Sequence, residues 1–300
     1  MLFAVHISDG IVAWPWLVGG WIGTIGLLLL GMAAVSAQVA RGDDSVIPRL
    51  GVLTAAFFVA SQLHLPLGGV SVHLLLNGVV GLVLGIRSPI AIAIGLTFQA
   101  LFFAHGGLTT LGLNTCVVGV PALLAGAILP RVINTNRLKN PVVRFALVSL
   151  LAIAGLSLGV LAAQSLWLKV RTVESEFFLH PESLWIVDPI AIIGILATAM
   201  LLAALERRIE RDPLFPLGVL LGGSVAGLTV ALNCSVLTLG GIDQAKSLGA
   251  LVAIAHLPVI LVEAVGCGFI LVFLARVKPE WIGGYSPTAT GTTSSNETSH

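Results

Sequence analysis

The chain has 300 residues, of which 57% are hydrophobic and only 10% are charged, and its mean hydropathy is +1.04. An ordinary globular domain contains about 25% charged residues, so a water-soluble fold of this composition could not cover its own surface. The formal net charge of +1, without any cluster of basic residues, argues against nucleic acid as a partner. The composition predicts an integral membrane protein that crosses the bilayer several times.

Breaks at charges, prolines and glycines divide the chain into apolar segments that are candidate membrane helices. In chain order these segments are 15–39, 50–63, 72–86, 89–104, 110–130, 142–168, 189–205, 214–237 and 248–275. The second, third and fourth are short, so they can cross a membrane only inside a compact bundle. The predicted fold class is an all-α integral membrane protein, a polytopic bundle of about nine transmembrane helices.

Lysine and arginine orient the predicted bundle in the cell (inner) membrane. With the N-terminus outside, one set of loops carries 12 of the 15 basic residues, and the other carries only Lys169, Arg171 and Lys246. Loops rich in basic residues face the cytoplasm, so the N-terminus is predicted outside and the C-terminus inside. No basic residue precedes Asp9, so the start of the chain is not predicted to be a secretory signal.

Histidines collect at the predicted outer face, although they were not used to orient the chain. His6, His64, His73, His105 and His180 all fall on or beside that face. A single interfacial histidine has no special meaning, but several at one face with few lysines favour a cation site. Imidazole suits Ni, Cu, Co and Zn and rejects hard ions such as Mg and Ca.

Three polar segments lie on this outer side. The first reads His-Ile-Ser-Asp-Gly at 6–10, the second is a glycine-rich loop ending Gly-Gly-Val-Ser-Val-His at 68–73, and the third covers 99–114. The third begins Gln-Ala-Leu-Phe-Phe and continues through Gly-Gly-Leu-Thr-Thr-Leu-Gly-Leu-Asn. Taken singly, each is explained equally well by a turn, a loop or a helix cap.

Together and in this order, the segments resemble the substrate-capture subunits of energy-coupling-factor cobalt and nickel importers, the CbiM/NikM family. That family opens Met-His-Ile-Pro-Asp-Gly, continues with a Gly-Gly-Thr-Ser-x-His loop, and then carries Gln-Ala-Leu-x-Phe and Gly-Gly-Leu-Thr-x-Leu-Gly-x-Asn. The stretch from His256 to Glu263 looks like the last helix of the family. The resemblance covers about 1–135 and 214–280.

The resemblance implies a substrate-binding membrane subunit of such an importer, not an enzyme, which needs no cofactor and transports Co²⁺ or Ni²⁺. Its implied partners are a transmembrane coupling subunit and cytosolic ATPase subunits, with a small accessory membrane subunit as a further candidate. A self-sufficient secondary carrier is the alternative, although the inverted repeats typical of such carriers are not evident. A membrane metallohydrolase would need a general base, for which Asp9 and Glu263 are the candidates.

The resemblance also implies a metal site. It comprises a terminal amine, the amide nitrogen and imidazole of His6, and the imidazole of His73. Such a planar nitrogen set is one that Ni(II) and Cu(II) favour. Residues 2–5 separate Met1 from His6, so Val5 would supply the terminal nitrogen only if the functional chain begins there.

Four accessory residues complete the predicted site. His64 and His105 stand where the family usually has Asn and Asp, and they are candidate extra ligands, relay sites or neutral replacements. Asp9 would orient a ligand N–H, or else serve only as a turn residue. Asn114 is a further accessory candidate. Glu263, near the middle of the membrane, is predicted to make a structural hydrogen bond to a neighbouring helix.

Four parts of the chain follow from these assignments. Residues 1–135 would hold the metal-capture helices and their outer loops, and 136–212 an inserted transmembrane helix pair with an acidic outer loop. Residues 213–280 would form the last two helices of the bundle. Residues 281–300, rich in Ser, Thr and Gly, would be a disordered cytoplasmic tail.

Overall fold

A computed structural model describes residues 6–67, 70–133, 214–242, 248–283 and 285. The chain separates into two compact units, Met1–Thr135 with Leu217–His300, and Asn136–Pro216. Several predicted features lie outside the described residues and stay predictions. They are the nitrogen of Val5, the helices 142–168 and 189–205, the acidic loop between them, and the tail from 286 onward.

Seven α-helices make up most of the described chain. They are α1 (Trp14–Val39), α2 (Val46–Ala60), α3 (Asn77–Leu84), α4 (Ser88–Phe103), α5 (Leu111–Val132), α6 (Leu214–Gly240) and α7 (Leu248–Val277). Short 3₁₀ turns follow α3 at Gly85–Arg87 and α7 at Pro279–Trp281. Five stretches of the described chain are long and apolar enough to cross a membrane by length and composition, and one of them, Asn77–Phe103, contains both α3 and α4. The prediction of an all-α, multi-pass membrane protein is confirmed.

The segment between α2 and α3 contains a pair of short strands, where the sequence predicts a loop entering a helix at residue 72. Strand β1 (His64–Leu67) pairs antiparallel with β2 (Val70–His73), and the register places His64 opposite His73. The β-branched residues Val70 and Val72 favour this extended backbone. Leu76, in the left-handed region at φ +50°, then separates β2 from α3. The predicted helix 72–86 therefore begins only at Asn77.

Helices α3 and α4 form a hairpin rather than one long span. His73 precedes α3 and His105 follows α4, yet their ring centroids are 5.1 Å apart, so the chain returns to the end of the bundle that it left. The reversal occurs at Gly85, whose φ of +57° ends α3. With eight residues, α3 is about 12 Å long and covers less than half of a bilayer core of about 30 Å. Protein surrounds it, since seven of its residues are buried.

Glycines bring neighbouring helices into backbone contact. A Cβ atom on Gly81 of α3 would lie 2.1 Å from the carbonyl oxygen of Ala122 in α5. A Cβ on Gly222 of α6 would lie 2.4 Å from the Cβ of Cys267 in α7. No side chain fits at either position. In lipid, where helices gain little from burying apolar surface, such close van der Waals packing is a main source of association.

Basic residues gather at the end of the bundle opposite the histidines. The described ranges contain six lysines and arginines, namely Arg41, Arg49, Arg87, Arg131, Arg276 and Lys278. Two contacts tie this end together: the Arg87 guanidinium donates to the Ala34 carbonyl at 3.5 Å, and the Arg49 guanidinium lies 5.4 Å from the centre of the Trp281 ring. Helix α5 runs from the histidine end to Arg131, so the two ends are separated by the length of that helix.

Candidate metal site

Three histidines from three separate segments meet at one end of the bundle. His6 precedes α1, His73 ends β2 and His105 follows α4. Their ring centroids are 4.8 Å apart for His6 and His73, 5.1 Å for His73 and His105, and 5.5 Å for His6 and His105. Each ring offers one nitrogen, and these three atoms all lie within 4.8 Å of one another. Clustered imidazoles of this kind bind transition-metal ions.

Burial keeps His6 in the form that binds metal. The side chain is 3% exposed, and this burial lowers the pKa of His6 well below its ordinary value. Charge on His73 or His105 would lower the pKa further, while the nearby Gln99 amide acts in the opposite direction. Neither ring nitrogen of His6 has a partner among the described residues whose distance and angle meet the criteria for a hydrogen bond. At neutral pH His6 is therefore uncharged, and its nitrogen lone pair can bind a cation.

The main chain beside His6 is held by two side chains from the start of α5. Asn114 accepts from the Ile7 N–H through Oδ1 at 2.9 Å and donates from Nδ2 to the Ile7 carbonyl at 2.9 Å. The Thr110 hydroxyl donates to the same carbonyl at 2.6 Å. The sequence gives Asn114 only as an accessory candidate. Both ends of its amide are engaged with Ile7, so Asn114 positions the histidine.

Asp9 holds the loop before α5 in place. Its carboxylate accepts from the Thr109 N–H at 3.1 Å, the Thr109 hydroxyl at 2.5 Å and the Thr110 N–H at 3.2 Å. Partial burial acts to raise the pKa of Asp9, but these hydrogen bonds lower it below its ordinary value, so the group is ionised at neutral pH. The sequence offered two roles for Asp9, orienting a ligand N–H or serving as a turn residue. Its bonds run to the chain that enters α5.

The segment that carries His73 is held by contacts of the residues that directly follow it. Nδ1 of His73 lies 3.2 Å from the Leu74 carbonyl oxygen. Because a carbonyl can only accept, Nδ1 carries the proton and Nε2 carries the lone pair. The buried carboxylate of Glu263 accepts from the Leu75 N–H and, at 2.9 Å, from the Leu76 N–H. Glu263 was predicted to make a structural hydrogen bond to a neighbouring helix, and its partners are the main chain of the two residues just before α3.

Two further residues bear on the predicted site. The backbone of His64 lies opposite His73 in the strand pair, while its side chain is outside the described structure. Gln99 of α4 was not predicted as a site residue, yet it is fully buried and lies beside His6. One sequence signal could have identified it, namely a lone amide in an apolar helix. Such a group is costly inside a membrane unless it meets a polar partner.

A family model described as the cobalt uptake substrate-specific transmembrane region, CbiM, matches residues 6–208 and 187–281. The chain belongs to the CbiM family. This family is one of metal-transport proteins. The order of the three outer segments and the multi-pass architecture both agree with the assignment. Transport proteins of this kind are membrane proteins, which fits the five apolar spans.

Curated CbiM relatives match the chain in part. The cobalt transport protein CbiM of Anoxybacillus flavithermus is 36% identical over 131 residues, which are 43% of this chain and 52% of the relative. The protein of that name from Thermosynechococcus vestitus is 36% identical over 124 residues, 39% of this chain and 46% of the relative. A Methanocorpusculum labreanum relative, provisionally named fused cobalt transport protein CbiMQ, is 37% identical over 126 residues, 42% of this chain and 21% of the relative. The chain thus spans about half or less of these relatives' length.

A crystal structure of a truncated transition metal transporter aligns with 90% of this chain and 98% of its own, at a TM-score of 0.49 and 17% identity.

Proposed function

We propose that this CbiM protein is the substrate-binding membrane subunit of an energy-coupling-factor importer for cobalt or nickel ions. The observation that carries the proposal is the meeting of His6, His73 and His105 at one end of the bundle. Every lysine and arginine in the described part of the chain lies at the other end. Because basic loops face the cytoplasm, the histidine end is the outer face, where an ion arriving from outside would be captured.

The carboxylates near the site favour transport over hydrolysis. A metallohydrolase needs a general base that can take a proton from a metal-bound water. Asp9 and Glu263 were the candidates for that role. Both instead accept hydrogen bonds from main-chain N–H groups. Asp9 accepts from Thr109 and Thr110, and Glu263 accepts from the segment after His73. Their engagement with main-chain donors supports transport over hydrolysis.

Energy for uptake would come from other subunits. We propose a transmembrane coupling subunit and cytosolic ATPase subunits as partners, with a small accessory membrane subunit as a further candidate. The name of the Methanocorpusculum labreanum relative describes a CbiM fused to a second protein, which supports the proposal that this chain works together with another subunit.

Uptake by proteoliposomes tests this function. The purified chain is reconstituted alone, and then with a coupling subunit and ATPases, and entry of radioactive Co²⁺ or Ni²⁺ is measured with and without ATP. We expect uptake only in the complete assembly with ATP. Uptake by the chain alone, without ATP, would instead identify the alternative, a self-sufficient secondary carrier. A His73→Ala variant, which removes a proposed ligand, should abolish uptake in the complete assembly.

A further inference from the structure

Three arginines from separate segments come together at the end of the bundle opposite the histidines. Arg41 follows α1, Arg49 lies in the first turn of α2, and Arg87 lies in the turn between α3 and α4. Arg49 and Arg41 are close enough to Arg87 to repel its charge. The preference for basic residues on the cytoplasmic side explains why each lies at this end, but not why three of them meet. Like charges at short range are favourable only where an anion compensates them.

Two of these arginines are held in place by neutral groups. The Arg87 guanidinium makes a long hydrogen bond to the Ala34 carbonyl, at 3.5 Å. The Arg49 guanidinium donates to the Ser45 hydroxyl at 3.3 Å and lies over the Trp281 ring, a contact that orients the cation without neutralising it. In both side chains Nε is shielded from solvent and has no acceptor among the described residues. The protein therefore fixes these two cations but leaves their donors only partly satisfied.

The carboxylates of this region do not neutralise the arginines. Asp43 lies near Arg49, but its Oδ1 accepts from the main-chain N–H of Ser45 at 3.1 Å and from the hydroxyl of the same residue. Glu280, also near Arg49, pairs instead with Lys278 at 3.5 Å. Within the part of the chain that the structure describes, none of the three arginines forms an ion pair. Positive charge is therefore in excess where they meet.

Exposed apolar side chains lie directly beside this charge. Ile86 precedes Arg87 in the chain, Ile47 lies in the same helical turn as Arg49, and both isoleucines are exposed. A ligand with an anionic head and an apolar body would use the arginines and the isoleucines together. A soluble anion or an acidic peptide would use only the arginines. The combination of charge and apolar surface therefore favours a lipid.

We propose that Arg41, Arg49 and Arg87 bind the phosphate of an anionic phospholipid in the cytoplasmic leaflet, whose acyl chains lie against Ile47 and Ile86. Guanidinium groups match phosphate oxygens in geometry as well as in charge. Basic pockets between transmembrane helices on the cytoplasmic side are typical sites for such headgroups. The bound lipid would hold together the end of α1, the start of α2 and the turn between α3 and α4. This inference rests on the predicted inward orientation of the basic residues and is independent of the metal site.

Native mass spectrometry of the full-length chain, freed of lipid in detergent, tests the proposal. The chain is mixed with equal amounts of dioleoyl phosphatidylglycerol, which is anionic, and dioleoyl phosphatidylcholine, which is not, and the bound lipids are counted. We expect phosphatidylglycerol to be preferred, and Arg41→Gln, Arg49→Gln and Arg87→Gln each to weaken its binding about fivefold. Arg131→Gln is the matched control, because it removes a charge at the same end whose guanidinium contacts only its own helix. It should leave the preference unchanged.

Several outcomes would overturn the proposal. Equal binding of the two lipids would do so, as would a preference that survives when all three arginines are replaced by glutamine. If inorganic phosphate displaces phosphatidylglycerol while sodium chloride of the same ionic strength does not, the ligand is a soluble anion. If neither lipid is preferred but the triple variant fails to assemble with a coupling subunit, the arginines bind a protein partner. Should the triple variant fail to fold, Arg41→Gln, which alters an exposed side chain, decides alone: a fivefold loss supports the lipid site, and unchanged binding refutes it.

Discussion

Ile7 links the first candidate ligand to the start of α5. Its N–H and carbonyl are both paired with the Asn114 amide, and its carbonyl also accepts from Thr110. This region is buried, so each bond is made where water does not compete strongly. The ring of His6 is one residue away, and its position depends on this short stretch of main chain.

Asn114→Ala should weaken metal binding by about 10–100-fold, the usual effect of removing a group that orients a ligand. Thr110→Val keeps the side-chain shape and removes only one of the two donors to the Ile7 carbonyl, so its effect should be smaller. Calorimetry with Co²⁺ on both variants, alongside thermal unfolding, measures this. Unchanged affinity in a normally stable Asn114→Ala protein would show that other contacts position His6.

Gly107→Ala should disrupt the Asp9 contact. A Cβ at residue 107 would lie 2.0 Å from Oδ1 of Asp9, so the carboxylate or the loop must shift. Forcing atoms into a well-packed site costs about 1–3 kcal/mol, and we expect a lower unfolding temperature. Gly19→Ala is the matched control, since nothing lies within 4 Å of a Cβ there. Equal stability of the two variants would contradict the expectation.

At the scale of elements, the connection between β2 and α3 depends on α7. Glu263 is 3% exposed and receives the N–H groups of Leu75 and Leu76. At the first residue of α3, the Asn77 amide donates to the Val118 carbonyl at 3.2 Å and to the Thr229 hydroxyl at 2.8 Å. The short helix α3 is therefore tied to its neighbours by polar contacts at the end nearest His73.

Glu263→Ala should destabilise the protein by about 1–3 kcal/mol, because it leaves buried main-chain donors without their acceptor. Glu263→Gln keeps one acceptor oxygen, so its unfolding temperature should lie between those of the unchanged protein and Glu263→Ala. Thermal unfolding in detergent gives the ranking. Glu280→Ala is the control, since its carboxylate is exposed and pairs with Lys278 at 3.5 Å at the surface, where such pairs contribute little. If Glu263→Ala unfolded at the same temperature as Glu280→Ala, the anchoring role would be wrong.

The long helices were predictable from the sequence, and the short strands were not. The predicted segment 15–39 corresponds to Trp14–Val39, and 248–275 to Leu248–Val277, because uninterrupted apolar runs of this length have few other structures available. The four-residue strands are too short for a period-2 pattern to distinguish them from the end of a short helix. Their pairing, which places His64 opposite His73, depends on contacts between two chain segments that hydropathy does not report.

The histidines that meet at the candidate site could be picked out from the sequence, but the contacts that support them could not. His6 and His73 stood out through their motifs, and His105 through its departure from the usual family residue. The contacts that position them join residues about one hundred apart, such as Ile7 with Asn114 and Asp9 with Thr109. No local pattern encodes such pairs, so the main-chain partners of Asn114 and Asp9 could not be predicted.

For the whole molecule, the separation of histidines from basic residues predicts an orientation that labelling can test. In a chain whose three cysteines are replaced, Leu108→Cys places a thiol at the histidine end, where Leu108 is 52% exposed. Asp44→Cys places one at the exposed basic end. A membrane-impermeant maleimide should label residue 108 in intact cells and residue 44 only after permeabilisation. The reverse pattern would invert the topology and contradict capture from outside.

The pairing of Leu75 with Glu263 spans 188 residues, and this has a consequence for biosynthesis. A nascent chain that has inserted only its first five helices already carries His6, His73 and His105, but it lacks the carboxylate that fixes the turn after His73. The main-chain bridge between Ile11 and Ile242 is missing as well. We therefore expect ribosome-bound intermediates to hold cations weakly. Tight binding would be acquired only when the last helix enters the bilayer, which would keep unfinished chains from sequestering a scarce nutrient.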